Sequence, residues 1–211
     1  MPSTINASTS AGGGIIQTAD ASGVLALQAA GTTIASVSST GVAVTGTLSA
    51  SGAFTPTTMG GSVITSSTAQ ATTSGTFKDF TGIPSWVKRI TVMFNGVSTN
   101  STSPIIVQIG TSGGVEISGY LSGCVANANF NATAGFIVST QAAATVNHGA
   151  MQILSFGSNL WVSSSSIGYS DAGGGAAASG SKTLPAQLDR VRITTVAGST
   201  FDAGSINIMY E

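Results

Sequence analysis

The strongest strand pattern in this sequence is Trp86-Val-Lys-Arg-Ile-Thr-Val-Met-Phe94, and the turn dipeptide Asn95-Gly follows it. A second stretch, Leu188-Asp-Arg-Val-Arg-Ile-Thr-Thr-Val196, shows the underlying period more clearly. Its Val191 and Ile193 fall on one face of an extended chain, and its arginines fall on the other. Alternation of this kind is typical of a β-strand with one buried face. Both stretches therefore predict strands, and Asn95-Gly predicts the turn that ends the first one.

Further strand patterns cover most of the second part of the chain. They lie at 104–110, 114–120, 135–140, 150–156, 160–165 and 204–210. No stretch shows helical periodicity over a dozen residues. Eight or more short strands separated by turn signals predict an all-β antiparallel sandwich, jelly-roll-like in type. The Gly- and Ala-rich segment 172–181 is predicted to be a long mobile loop.

Charged residues are scarce. Only 6% of the chain is charged and the net charge is -1, against about 25% charged residues in typical soluble domains. Phosphate binding needs clustered Lys and Arg, and six basic residues spread along the chain do not form such a patch. Nucleic acid is therefore excluded as a predicted partner. The single cysteine, Cys124, excludes an intrachain disulfide and a multi-cysteine zinc site.

Targeting signals are not visible in the sequence. The stretch Met-Pro-Ser-Thr-Ile-Asn at the start has neither a basic region nor an apolar core, so no signal peptide is predicted. No apolar run approaches the ~20 residues of a transmembrane helix, so no membrane partner is predicted. We expect the protein to be made in the cytoplasm, although its composition resembles that of surface and fibre proteins.

Charge and aromatic content divide the chain into two parts. Asp20 is the only charged residue before Lys78. We predict an extended low-complexity arm or shaft over 1–61, and a β-sandwich domain over 62–211.

The arm contains short apolar strand patterns. Leu25 and Leu27 fall on one face of a strand, as do Val42 and Val44. One copy of such a segment offers too few bulky side chains to close a core, whereas three copies around a shared axis bury them together. These four residues are the predicted assembly contacts of a homotrimer. The alternative is that the segment is a flexible Gly/Ser/Thr linker.

Two stretches resemble families of phage virion proteins. Residues 25–42 resemble the "LQ-x-x-G-T-T … V-x-x-x-G-V" repeats of phage tail-fibre and fibre-like proteins. Residues 80–98, together with the ending 188–211, resemble a C-terminal domain that recurs in phage-encoded proteins. The first motif is of low complexity, and the second is longer and more specific.

The resemblance implies a virion component with β structure, usually trimeric. It does not identify the location in the particle, because similar modules occur in tail fibres, head fibres and capsid-decorating proteins. We expect assembly in the host cytoplasm and attachment to the major capsid protein or to another virion structural protein. Capsid decoration (a cement protein) and head fibre are the first expectation. The alternative is a tail fibre or receptor-binding protein that recognises host-surface polysaccharide.

Catalytic chemistry is not predicted. The only histidine, His148, would have to be the general base of a catalytic triad, but the sequence has no nucleophile-elbow motif, Gly-x-Ser-x-Gly at a strand-to-helix turn. Glycoside hydrolysis needs two carboxylates about 5–10 Å apart, and the candidates in the C-terminal part are Asp79, Glu116, Asp171, Asp189, Asp202 and Glu211. Several of these stand beside basic residues, as in surface ion pairs. We therefore expect no enzyme activity, no cofactor and no metal.

Carbohydrate binding is the rival function. Trp86, Trp161 and Tyr169 are candidate stacking faces for sugar rings, and Asn127 and Asn129 are candidate hydrogen-bonding groups. The competing interpretation is that both tryptophans are core anchors on strands and that the asparagines belong to an ordinary turn.

Overall fold

The computed structural model divides the chain into two compact units, residues 1–59 and 60–211. The residues that it describes are 24–46, 64–126, 130–140, 142–143, 145–171 and 173–211. The sequence-based boundary between residues 61 and 62 lies outside these ranges and stays a prediction. Within the described ranges, no helix is long and apolar enough to cross a membrane.

The described part of the first unit is a three-stranded antiparallel sheet in the order β1-β2-β3. Its strands are β1 (Leu25–Ala29), β2 (Thr32–Ser38) and β3 (Gly41–Val44). Ala30 and Gly31 both have positive φ, 50° and 77°, as a tight two-residue hairpin requires. The strands predicted for this part of the arm are therefore present.

The described part of the second unit contains fourteen strands. They are β4 (Thr65–Ser66), β5 (Gln70–Ala71), β6 (Phe77–Thr81), β7 (Arg89–Thr99), β8 (Ile105–Thr111), β9 (Gly114–Val115), β10 (Leu121–Val125), β11 (Phe130–Ala132), β12 (Phe136–Ser139), β13 (Asn147–Gly157), β14 (Leu160–Tyr169), β15 (Gly175–Thr183), β16 (Arg190–Thr195) and β17 (Phe201–Tyr210).

These strands form two antiparallel sheets. The larger has nine strands in the order β11-β10-β15-β14-β13-β7-β17-β4, with β5 also paired to β17. The smaller has five strands in the order β12-β8-β16-β6, with β9 also paired to β8. Strand β12 of the smaller sheet packs against β14 and β15 of the larger one. The predicted all-β, sandwich-like fold is confirmed.

Cross-strand register builds the core from rows of inward-facing side chains. One such row crosses six strands of the larger sheet, and every member is buried: Cys124, Ala178, Ser165, Met151, Val92 and Ile208. Val191 and Ile193 of β16 are fully buried in the smaller sheet. The alternation predicted for residues 188–196 therefore places its apolar face in the core.

The predicted turn at Asn95-Gly is wrong, because β7 continues through it to Thr99. Gly96 has a φ of 66°, and the pairing of β7 with its neighbours β13 and β17 shifts register at this level. An Asn-Gly pair supplies the positive φ of a hairpin turn, but the same conformation also makes a β-bulge. Here it makes the bulge.

The predicted loop at 172–181 is also wrong, because most of it forms β15 between β10 and β14. Ala176 and Ala178 are buried, and a Cβ on Gly180 would lie 2.5 Å from the Leu121 carbonyl oxygen of β10 and 3.1 Å from the Phe136 ring of β12. Small residues are needed in this strand because large side chains of β12 pack directly onto it.

The predicted strand at 114–120 is reduced to the two residues of β9. Gly119 has a φ of 72°, which interrupts the extended chain, and Tyr120 then turns into the core. Ile117 is left 67% exposed.

Candidate functional site

The first candidate site is one face of the three-stranded sheet. Leu25 pairs with Val37, which pairs with Val42. In the next row on the same face, Leu27 pairs with Ala35 and Ala35 pairs with Val44. We call these six side chains the apolar face. The predicted assembly residues Leu25, Leu27, Val42 and Val44 are therefore brought together, and Val37 and Ala35 join them.

The apolar face is open in the single chain. Its leucine and valine side chains are 39–67% exposed, and Val42 is the most exposed of them. The opposite face carries Ala26, Ser36 and Ala43 in register. No charged residue occurs between residues 24 and 46. Val24 beside β1 and Ile34 of β2 are also exposed, by 40% and 44%, so exposed apolar side chains are not confined to the apolar face. Neither surface of the sheet carries a charge that association would have to desolvate.

The second candidate site surrounds Trp86. This residue lies before β7 rather than on it, in a turn closed by the Val87 amide donating to the Pro84 carbonyl at 3.1 Å. The Trp86 side chain is 52% exposed, so the prediction of a core anchor on a strand is wrong here. Its ring lies beside Tyr210, with ring centroids 6.0 Å apart and planes inclined by 52°.

The other predicted sugar-binding aromatic residues are in the core. Trp161 and Tyr169 are 3% and 6% exposed, and the Tyr169 hydroxyl donates to the Thr140 carbonyl at 2.8 Å. Burial raises the pKa of Tyr169. Neither ring presents a face to solvent, where a sugar would stack. For Trp161, the competing interpretation as a core anchor agrees with its burial.

The predicted asparagine contacts stay untested, since Asn127 and Asn129 lie outside the described residues. Asn131, two residues after Asn129, places its Oδ1 over Gly123. It borders a broad depression of about 670 Å³ on the larger sheet, whose floor is made of small residues such as Ser164, Ala177 and Ser179.

His148 lies on β13 and contacts the neighbouring strand β7. Its Nδ1 accepts the Gly96 amide at 3.2 Å, which places the imidazole at the bulge of β7. The Asp171 carboxylate accepts the Val146 amide nearby at 2.9 Å. Both groups therefore contribute to the shape of the backbone.

The acidic residues are paired with structural partners. Asp79 forms a two-bonded ion pair with Arg192, both contacts at 2.7 Å, and the guanidinium stacks on Phe77. This pairing raises the pKa of Arg192. Glu116 contacts Lys182, Asp189 contacts Arg190, Asp202 accepts from the Ser98 hydroxyl, and Glu211 pairs with Arg89. Among the described residues, no group of His, Cys, Asp and Glu is arranged to hold a metal ion.

Cys124 is buried on β10. Burial raises the pKa of its thiol, which disfavours the thiolate that would act as a nucleophile.

Two features were missed by sequence reasoning. The position of Val37 on the apolar face follows only from the register of β2, and the approach of Tyr210 and Glu211 to Trp86 and Arg89 follows only from the pairing of β17 with β7. Neither feature is marked by a motif in the sequence.

Comparisons with known proteins identify no relative: no family model, no curated protein and no solved structure matches this chain.

Proposed function

We propose that the protein is a structural component of a bacteriophage virion, a homotrimer that decorates the capsid or forms a head fibre. Its N-terminal part provides trimer contacts and attachment to a capsid or other virion protein, and its β-sandwich covers or projects from the particle surface. The observation that carries the assembly part of this proposal is the apolar face. The assignment to a phage rests on the sequence resemblance.

The apolar face calls for a covering surface. A sheet with one hydrophobic face is stable when that face packs on a second layer, and the described residues of the first unit form one layer. Three copies arranged with their apolar faces toward a common axis supply that layer to one another. The resemblance to trimeric fibre proteins favours three copies over two.

Burial of the leucine and valine side chains would supply the driving force. Each such side chain contributes roughly 1.5–3 kcal/mol when it moves from water to a fully apolar environment. No charge in 24–46 opposes the approach of identical chains.

The test is the mass of the full chain in solution. We expect light scattering at micromolar concentration to give three times the monomer mass of 20.7 kDa. Val42→Asp places a carboxylate on the apolar face and should shift the protein toward monomer, because an unpaired buried charge costs at least about 2 kcal/mol per copy. Ala43→Asp is the matched control, since Ala43 is the next residue of β3 and points to the opposite face.

A monomeric wild-type chain would contradict the trimer, as would equal masses for the two variants. Copy number in purified particles tests the location. Hundreds of copies per virion indicate capsid decoration, whereas tens or fewer indicate a tail fibre.

One observation favours the second candidate function, a tail fibre or receptor-binding protein for host-surface polysaccharide. The half-exposed Trp86 ring beside Tyr210 is the kind of surface that stacks on sugar rings.

A further inference from the structure

The two tryptophans of this chain occupy opposite environments. Trp161 is 3% exposed, whereas Trp86 is 52% exposed. Large aromatic side chains usually contribute to a core, whereas half of the Trp86 surface stays in contact with solvent. Trp86 is therefore available to a ligand that approaches from solvent.

Tyr210 connects Trp86 to a small depression. The Tyr210 ring lies beside Trp86 at 6.0 Å, inclined by 52°. The same residue lines a depression of about 50 Å³, whose other lining residues are Ile64, Arg89, Thr91, Met209 and Glu211. This volume is well below the ~150 Å³ of a cavity that holds a benzene ring.

A fixed pair of charged groups borders the depression. The Arg89 guanidinium pairs with the Glu211 carboxylate, and the two side chains are 46% and 28% exposed. Their backbones are held together as well, because the Arg89 amide donates to the Glu211 carbonyl at 2.8 Å and the Glu211 amide donates to the Arg89 carbonyl at 3.0 Å. A strong donor and a strong acceptor therefore stand next to the aromatic pair, and the charges of the ion pair cancel.

We propose that Trp86, Tyr210, Arg89 and Glu211 form a binding site for a neutral hexopyranose. Such a sugar has one face of C–H groups and a rim of hydroxyls. The C–H face fits the Trp86 ring, while hydroxyls donate to Glu211 and accept from Arg89. The depression is too small for a whole ring and large enough for an exocyclic hydroxymethyl group.

The balance of charge selects the neutral class of sugar. An anionic sugar would meet the Glu211 carboxylate, and a cationic one would meet the Arg89 guanidinium. A neutral sugar uses the donor and the acceptor together without either repulsion. The site belongs to residues 60–211 and does not depend on the apolar face. A failure of sugar binding would therefore leave the proposed trimer intact, and a monomeric chain would leave the sugar site intact.

The test uses the contrast between the two tryptophans. Acrylamide quenches the emission of the exposed Trp86 and leaves that of the buried Trp161. The probes are the methyl glycosides of glucose, galactose, mannose and N-acetylglucosamine, and a linear tetrasaccharide of each, added to the full chain. We expect at least one probe to protect Trp86 from acrylamide, with millimolar affinity for single sugars and tighter binding for its tetrasaccharide.

Variants then locate the binding. Trp86→Ala should weaken binding of that probe, measured by calorimetry, about tenfold or more, a factor that corresponds to ~1.4 kcal/mol. Trp86→Phe keeps a smaller aromatic face and should weaken binding less than Trp86→Ala does. Glu211→Gln removes the charged acceptor and should weaken binding several-fold. Phe156→Ala is the control, since Phe156 is an aromatic residue that is 75% exposed and lies on a different strand, β13.

Two results would overturn the proposal. One is the absence of protection by every probe at about 100 mM, roughly a hundredfold above a millimolar dissociation constant. The other is binding by Trp86→Ala as tight as that of the wild type. Because Trp86 is half-exposed and its ring packs beside Tyr210, Trp86→Ala should lower the melting temperature by about a few degrees. A cooperative melting transition well above the assay temperature shows that a loss of binding is local.

Discussion

At the scale of single residues, the hydroxyl of Tyr120 is held by hydrogen bonds on several sides. The side chain is fully buried, and its ring packs edge-on against Phe136 with centroids 5.0 Å apart. The hydroxyl accepts the Ile109 amide at 2.8 Å, and the Ile109 and Glu116 carbonyls lie at 3.1 and 3.0 Å to receive its proton. Burial, opposed in part by the bond to Ile109, raises the pKa of Tyr120 well above its usual value.

Tyr120→Phe should lower the free energy of unfolding by about 1–3 kcal/mol at neutral pH, because the Ile109 amide loses its buried acceptor. The difference from the wild type should shrink above pH 10. There the unfolded tyrosine, with a pKa of about 10, releases its proton while the folded one keeps it, so Tyr120 stabilises the wild type less as the pH rises. Urea unfolding at neutral pH and above pH 10 measures both effects. A difference that does not change with pH would contradict the raised pKa.

Residue environments are also where sequence reasoning fails most clearly. Trp86 and Trp161 both stand in strand-like stretches, and only the structure separates the exposed ring from the buried one. The register of β17 also brings Tyr210 and Glu211 beside the turn that holds Trp86. That pairing joins residues more than a hundred positions apart, so it leaves no trace in local periodicity.

At the scale of elements, the central strands of the larger sheet share one irregularity. The bulge at Gly96 of β7 faces Gly204 of β17, whose φ is 90°, and the His148 imidazole of β13 caps the Gly96 amide. A Cβ on Gly204 would overlap the Gly96 carbonyl. Two strands therefore bend together, and the missing side chain of Gly204 leaves space for the backbone at Gly96.

Gly204→Ala should destabilise the second unit strongly, by about 3 kcal/mol or more, because it combines a strained φ with a backbone overlap. Gly198→Ala is the matched control. Gly198 also has a positive φ, 67°, but open space surrounds its Cβ position, so only the strain of about 1–2 kcal/mol applies. Thermal unfolding followed by near-ultraviolet circular dichroism compares them. Similar melting temperatures for the two variants would show that the bulge rearranges to make room for the new Cβ, which would contradict the prediction.

A strand can be predicted from the sequence where its own side chains alternate between apolar and polar. β16 and β17 alternate apolar and polar residues, and both were predicted from that pattern. β15 has the composition of a loop, Gly-Ala-Ala-Ala-Ser-Gly-Ser, and is a central strand because β12 covers its small residues. Its stability comes from neighbours, so its own sequence does not predict it.

At the scale of the whole molecule, charge is distributed unevenly. Asp20 is the only charged residue before Lys78. Nearly all electrostatic interactions therefore belong to the second unit, where they pair Asp79 with Arg192 and Glu116 with Lys182. The leucines and valines of the apolar face can associate only through hydrophobic burial and packing. This difference gives the proposed assembly a distinctive dependence on salt.

Association through the apolar face should be nearly insensitive to NaCl. Between low salt and about 0.5 M NaCl, where the screening length falls well below 10 Å, we expect the association constant to change less than about threefold. Sodium sulfate should strengthen association, because it raises the cost of exposing apolar surface. Analytical ultracentrifugation of the full chain in each salt measures the constant. A steep decrease of the association constant with rising NaCl would assign the contact to charged residues of the second unit. Ala43→Asp leaves the apolar face intact and should keep the response to sulfate. Val42→Asp should lose that response.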